Sequence, residues 1–248
     1  MKIFKMVMMV SFVVLFFASC NTTKKDVDAQ HPDFAMGTMN DIGTIHTYLV
    51  LSIPKTHDPT PPEGIQLTLQ PPENWNDGKP LNFTIWYDKS GTFAWSWWWW
   101  NDPPVHGPYK VTGTFPGYGT VTETLYIDPK NILDYPKPRL KLRKGEIEVS
   151  WDAIAGARSY TIVIYKRDDN GHNQFVDWWP TTSTNIKFIN IDDMTPNTPY
   201  FASVLAHTYD RTKAPIVLSE QENMSRGISD DAVLVTETGQ LQLVPRDW

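Results

Sequence analysis

MTPNTPYFASVLA, residues 194–206, decides the fold of this chain. Tyr200, Ala202, Val204 and Ala206 recur at every second position, which places them on one face of a β-strand. The same period appears upstream. Ile147, Val149 and Trp151 alternate with polar neighbours, and so do Tyr160, Ile162 and Ile164. Downstream, Thr208–Asp231 separates this strand from the apolar run Ala232–Thr236. Either that interval is an elaborated loop, or the closing strand lies at 232–236.

The wording of these strands is more specific than their period. Gly156-Ala157-Arg158-Ser159-Tyr160 opens the second strand. Met194-Thr-Pro196-Asn-Thr198-Pro-Tyr200 opens the third and continues into Ala202, Val204 and Ala206. Residues 138–238 resemble a fibronectin type III module. The resemblance implies a β-sandwich in which Trp151 is the core indole and Tyr200 forms the corner that ties two strands together. Met194 stands where that family usually has leucine, a volume-conserving exchange that a core accepts. There is no Arg-Gly-Asp sequence, so an integrin-type role is not implied.

The first half also alternates. Ile45, Thr47, Leu49, Leu51 and Ile53 share one face, with His46, Tyr48 and Val50 on the other. Residues 54–64 (PKTHDPTPPEG) read as a loop, because proline cannot donate to a ladder. Further strands are predicted at 65–69, 81–87, 92–100, 109–114 and 121–127, with Asp88–Gly91 and the glycines of FPGYG at turns. Short strands at this spacing predict a second β-sandwich over 41–128, either immunoglobulin-like or transthyretin-like. The proline-punctuated stretch 129–137 is the expected linker, and 239–248 a C-terminal tail. The fold class is all-β, two tandem β-sandwiches.

Ahead of them, Lys2 and Lys5 precede a twelve-residue apolar run, Met6–Phe17, and then Ala18, Ser19 and Cys20. The run is shorter than the roughly 20 residues a spanning helix needs, and it has the flanks of a signal h-region. Small residues directly before a cysteine resemble the lipobox of bacterial lipoproteins. The resemblance implies a signal peptide over 1–19, diacylglyceryl lipidation of Cys20, a tether over 20–40, and an extracytoplasmic location on the cell or outer membrane. Two acyl chains hold a protein where one binds only reversibly. Cys20 is the one cysteine of the chain, so the fold has no internal disulfide and no cysteine redox chemistry.

The chain carries 22 Lys and Arg against 28 Asp and Glu. Without residues 1–19 the balance is 20 − 28 = −8, which argues against a nucleic-acid partner. The six histidines show no zinc spacing. Asp168-Asp169-Asn170-Gly171 lacks the spaced carboxylates of a calcium loop and reads as a hairpin turn. No G-x-S-x-G elbow, phosphate loop or glycosidase pair is present. No catalytic residue, metal or cofactor is therefore assigned, and a non-enzymatic binding module is expected.

The candidate site is the stretch Trp95-Ser-Trp97-Trp98-Trp99-Trp100. On a strand its indoles divide between two faces, and only one face can fill the core. The set containing Trp98 and Trp100 is expected to be either an outward platform, supported by Trp75, Trp86 and Tyr109, or packing beneath prolines 103, 104 and 108 or against the second domain. A platform fits a stacked glycan. The alternative is a structural or assembly lipoprotein that docks another envelope protein through its sandwich surfaces, with the outward tryptophans as interface anchors. Trp178-Trp179 divides in the same way, one ring toward the core and one toward an edge or a seam.

Overall fold

The computed structural model describes residues 31–54, 64–85, 88–90, 93–143, 146–168, 170–188, 194–213, 218–219 and 221–246, with the side chains of 54, 88–90, 93–99 and 188 outside that description. The leader and Cys20 lie outside the described residues. The described strands fall into three sheets.

In the first half, β1 (Asp33–Asp41) and β2 (Thr44–Pro54) form a hairpin. Next come β3 (Ile65–Gln70), β4 (Leu81–Ile85), β5 (Asp88–Ser90), β6 (Phe93–Trp100), β7 (Gly107–Phe115) and β8 (Gly119–Ile127). A four-stranded sheet in the order β4-β3-β7-β8 lies over β1, β2 and β6. Between them sits a core that includes Phe34, Met36, Leu49, Leu51, Leu67, Val111 and Phe115. The expected period holds: Leu49, Leu51 and Ile53 enter this core, while Tyr48 and Val50 belong to a cluster on the other face.

The second half supplies β9 (Arg139–Arg143), β10 (Glu146–Ser150), β11 (Ser159–Arg167), β12 (Asn173–Thr181) and β13 (Asn185–Phe188), then β14 (Pro199–His207), β15 (Met224–Ile228), β16 (Asp231–Val235) and β17 (Leu241–Pro245). Three strands, β13-β10-β9, pack over β11, β14 and β16. Trp151 is buried in that core, and the Thr195 amide donates to the Tyr200 hydroxyl at 2.9 Å, the corner expected from the sequence. Both alternatives for the long connection hold. The described residues among 208–223 carry no named strand, as an elaborated connection would have it, and a closing strand, β16, lies at the predicted place. The closing strand is doubled, since β15 pairs with Ser203–His207 and β16 with Pro199 and Tyr200 across a bulge at Ser229 and Asp230.

Three expectations are corrected. Residues 33–40, read as tether, are most of β1. That strand is central and buried on both faces: Phe34 and Met36 enter the first core, Ala35 and Met39 enter the cluster on the opposite face. A strand buried on both sides shows no polar alternation, so its sequence hid it. Residues 129–137 carry no strand, yet they are no free spacer. Leu133 packs in the second core, and the carbonyls of Asn131, Leu133 and Asp134 accept from Thr38, Asn40 and Ser225 at 3.0, 2.9 and 2.8 Å. Within the predicted tail, Leu241–Pro245 pairs antiparallel with β16.

The two sandwiches expected from the sequence are present, and the structure adds a direct connection between them. β1 pairs parallel with β15, Met39 opposite Met224 and Asp41 opposite Arg226. One sheet therefore runs β12-β11-β14-β15-β1-β2-β6-β5 through both halves. The two sandwiches share a wall.

Candidate functional site

The tryptophan stretch forms β6, and its register with β2 sets Trp98 opposite Leu49 and Trp100 opposite Thr47. Trp100 is half-buried against the first core, 5.3 Å from Phe83 and 6.0 Å from Trp75 between ring centroids, both edge-on. Trp75 is 4% exposed and its indole N–H donates to the Pro103 carbonyl at 3.0 Å. Tyr109 is fully buried. Its hydroxyl donates to the Val105 carbonyl and accepts from the Val105 amide. Rings packed edge to face inside a core offer no flat face to a sugar. Trp75 and Tyr109 are therefore core residues, and Trp100 is packing rather than platform. The side chains of Trp86 and Trp98 lie outside the described residues. Of the second pair, Trp179 packs against the second core and Trp178 against the central cluster, with the Arg211 guanidinium 5.1 Å from its ring.

The structure gathers polar chemistry elsewhere, along the shared wall. Beyond β14, Tyr209 and Leu218 pack with Ala35, Met39, Tyr48 and Val50 on the face of β1 and β2 turned away from the first core. The hydroxyls of Tyr48 and Tyr209 are 2.9 Å apart, and burial pushes both phenols up, Tyr48 strongly. Glu222 is buried, bound by the Thr208 hydroxyl and by the Ser219 amide at 2.6 Å. Its burial raises the carboxyl above the usual range. His207 is fully buried. Its Nε2 is 3.0 Å from the Thr161 hydroxyl, which also accepts from Arg211 Nη1 at 3.1 Å. Burial, then the nearby Arg211 charge, hold this imidazole well below its ordinary value.

The wall is stitched by further bonds. Asn223 Oδ1 accepts from the Thr38 amide and hydroxyl at 2.9 and 3.0 Å, and the Glu222 amide donates to the Met36 carbonyl at 3.1 Å. Arg226 grips Asp41 with two bonds of 2.8 and 3.0 Å, the bidentate form that adds direction to charge. Gln221 and Asp128 close the other end: the Asp128 amide donates to Gln221 Oε1, and Gln221 Nε2 donates to the Asp128 carbonyl. Sequence reasoning missed this cluster. Its one local trace was the second face of β2, His46, Tyr48 and Val50, too apolar for a surface facing water.

The far edge of the shared sheet is β12, whose outer side no described strand pairs. Its ladder with β11 breaks at Val176, a bulge between Asp177 and Phe175. Phe175 is 58% exposed there, and Val176 is exposed beside it. Asp168, at the turn before this strand, accepts from the Asn170 and His172 amides at 3.0 and 2.8 Å, the hairpin geometry expected. Among the described residues no three His, Cys, Asp or Glu side chains come together.

No protein-family profile matches the chain, and no curated protein matches it either. Solved structures do. The chicken CNTN1 FN1–FN3 domains are 16% identical over 81% of this chain and 66% of that one, with a TM-score of 0.28. This chain thus spans just under two thirds of that structure. Two crystal forms of a cytokine receptor complex are 12% and 13% identical. They cover 70% and 79% of this chain and 89% and 95% of theirs, with TM-scores of 0.26 and 0.28. The all-β sandwich assignment rests on this chain's own strands.

Proposed function

We propose that this protein is a lipid-anchored extracytoplasmic docking module, held to the membrane through Cys20, whose fused double sandwich presents a protein-binding edge at a fixed orientation. The observation that carries this reading is the shared wall: a sheet running unbroken through both halves makes one stiff body, where a flexible linker would make two independent ones. The anchor supports it. Asp33 follows Cys20 by thirteen residues, so the first strand starts within about 45 Å of the lipid even if the chain between is fully extended. That strand is the central one, so the anchor enters the body at its middle. At one end of the same sheet, the edge of β12 that no described strand pairs offers Phe175 and Val176, and such an edge is where another chain's strand can add. The Trp-based glycan platform loses its support with Trp75 and Tyr109 in the core.

The test is a photo-crosslinking residue at position 175 in the native envelope, with and without Cys20→Ser. A discrete protein adduct from 175, weakened when Cys20→Ser moves the protein to the soluble fraction, supports the reading. A control crosslinker at exposed Tyr126 should give none. Equal adducts from both positions, or membrane retention without Cys20, would contradict it.

A further inference from the structure

The shared wall lines up four residues that no local sequence spacing connects. His46 on β2 is opposite Met39 on β1, Met39 is opposite Met224 on β15, and Met224 is opposite His207 on β14. Directly opposed residues share a face, with neighbouring Cβ atoms about 5 Å apart. The result is a row reading imidazole, thioether, thioether, imidazole across four strands. Met39, Met224 and His207 are buried, and His46 is 8% exposed at the end of the row. The Nδ1 atoms of both His46 and His207 are buried with no hydrogen-bond partner among the described residues. An unpartnered buried ring nitrogen carries a desolvation cost and calls for a reason.

We propose that this row is a binding site for a thiophilic monovalent cation, Cu(I), held by the sulfurs of Met39 and Met224 and by Nδ1 of His207. Thioethers select soft ions, and imidazole completes such a set. His207 can serve as a ligand in one of its two neutral tautomers: the one in which Nε2–H donates to the Thr161 hydroxyl leaves a free lone pair on Nδ1, and a ligating histidine is ordinarily oriented through its other nitrogen in this way. The row spans three strand spacings, about 14 Å, so one ion cannot touch both imidazoles. His46, at the least buried end of the row, is the point of entry. The nearest charges favour a singly charged guest over a doubly charged one. Arg211 bonds Thr161 behind His207, Glu222 lies one rung away, and the Arg226–Asp41 pair closes the rung on the other side. A hard divalent cation would find no carboxylate in the row itself. This inference stands independently of the docking edge.

The chain carrying Cys20→Ser, which removes its one thiol, is titrated with Cu(I) under anaerobic conditions against bicinchoninate. The site predicts one equivalent held against the competitor, and a loss of at least about tenfold in affinity in Met39→Leu/Met224→Leu, a volume-conserving pair. Failure to hold Cu(I), or equal binding by the double variant, overturns the proposal and in the second case points to the leader methionines. Should the double variant not fold, ¹³C-methyl methionine spectra of the Cys20→Ser chain with Ag(I) decide. Shifts at Met39 and Met224 with Met194 unmoved support the site, and unmoved Met39 and Met224 overturn it.

Discussion

Ile42 stands with Gly43 in the two-residue turn of the β1–β2 hairpin, at φ 50° and 94°. Both positive angles are what the tight primed turn requires, but a β-branched residue adopts that region at a cost of roughly 1–2 kcal/mol. The Ile42 side chain is exposed and its amide donates to the Arg226 carbonyl at 3.1 Å, so the backbone is held there by the neighbouring strand. Ile42→Asn keeps that donor and relieves the strain. It should raise stability by about 1 kcal/mol and shift the urea midpoint upward. A lower midpoint would mean that the isoleucine is itself making a useful contact. At this scale the sequence was legible where one residue has one job. Tyr200 and Trp151 sit where their motif placed them. The tryptophan stretch was not legible, because residues 93–100 are apolar at both parities and alternation assigns no inside. Only the register with β2 decided that Trp100 faces the core.

Among the elements, β1 matters most and was the least visible. Its residues serve two cores and a set of hydrogen bonds, so DFAMGTMND shows neither alternation nor a clean apolar run. Gly37 marks how closely it approaches the other half: a Cβ there would run into the Glu222 carbonyl oxygen and the Asn223 side chain. Gly227 is equally confined, against the Pro136 carbonyl. Gly37→Ala should therefore push β1 off β15 and cost about 3 kcal/mol by overpacking. Gly43→Ala meets nothing within 4 Å and should cost only the left-handed backbone penalty, about 1 kcal/mol. Circular dichroism melts of the two variants check the difference; equal losses would mean that the β1–β15 contact is loose. Strands such as β3, β7 and β10 were readable because each buries one face, whereas β9, β12 and β13 were not read from the sequence. The pairing that joins the two sandwiches is parallel and links residues 185 apart, Asp41 with Arg226, which no window of sequence spans.

For the whole molecule the account reduces to one claim: two sandwiches, each with its own core, are made into one body by a common sheet and by the polar cluster packed against it. Composition, alternation and the fibronectin-like run were enough to give two all-β halves. They could not give their fusion, since the apparent linker and tether are themselves the joining pieces. Calorimetry of the Cys20→Ser chain tests this most directly. The account predicts one unfolding transition with equal calorimetric and van't Hoff enthalpies. Two separable transitions, one for each sandwich, would contradict it.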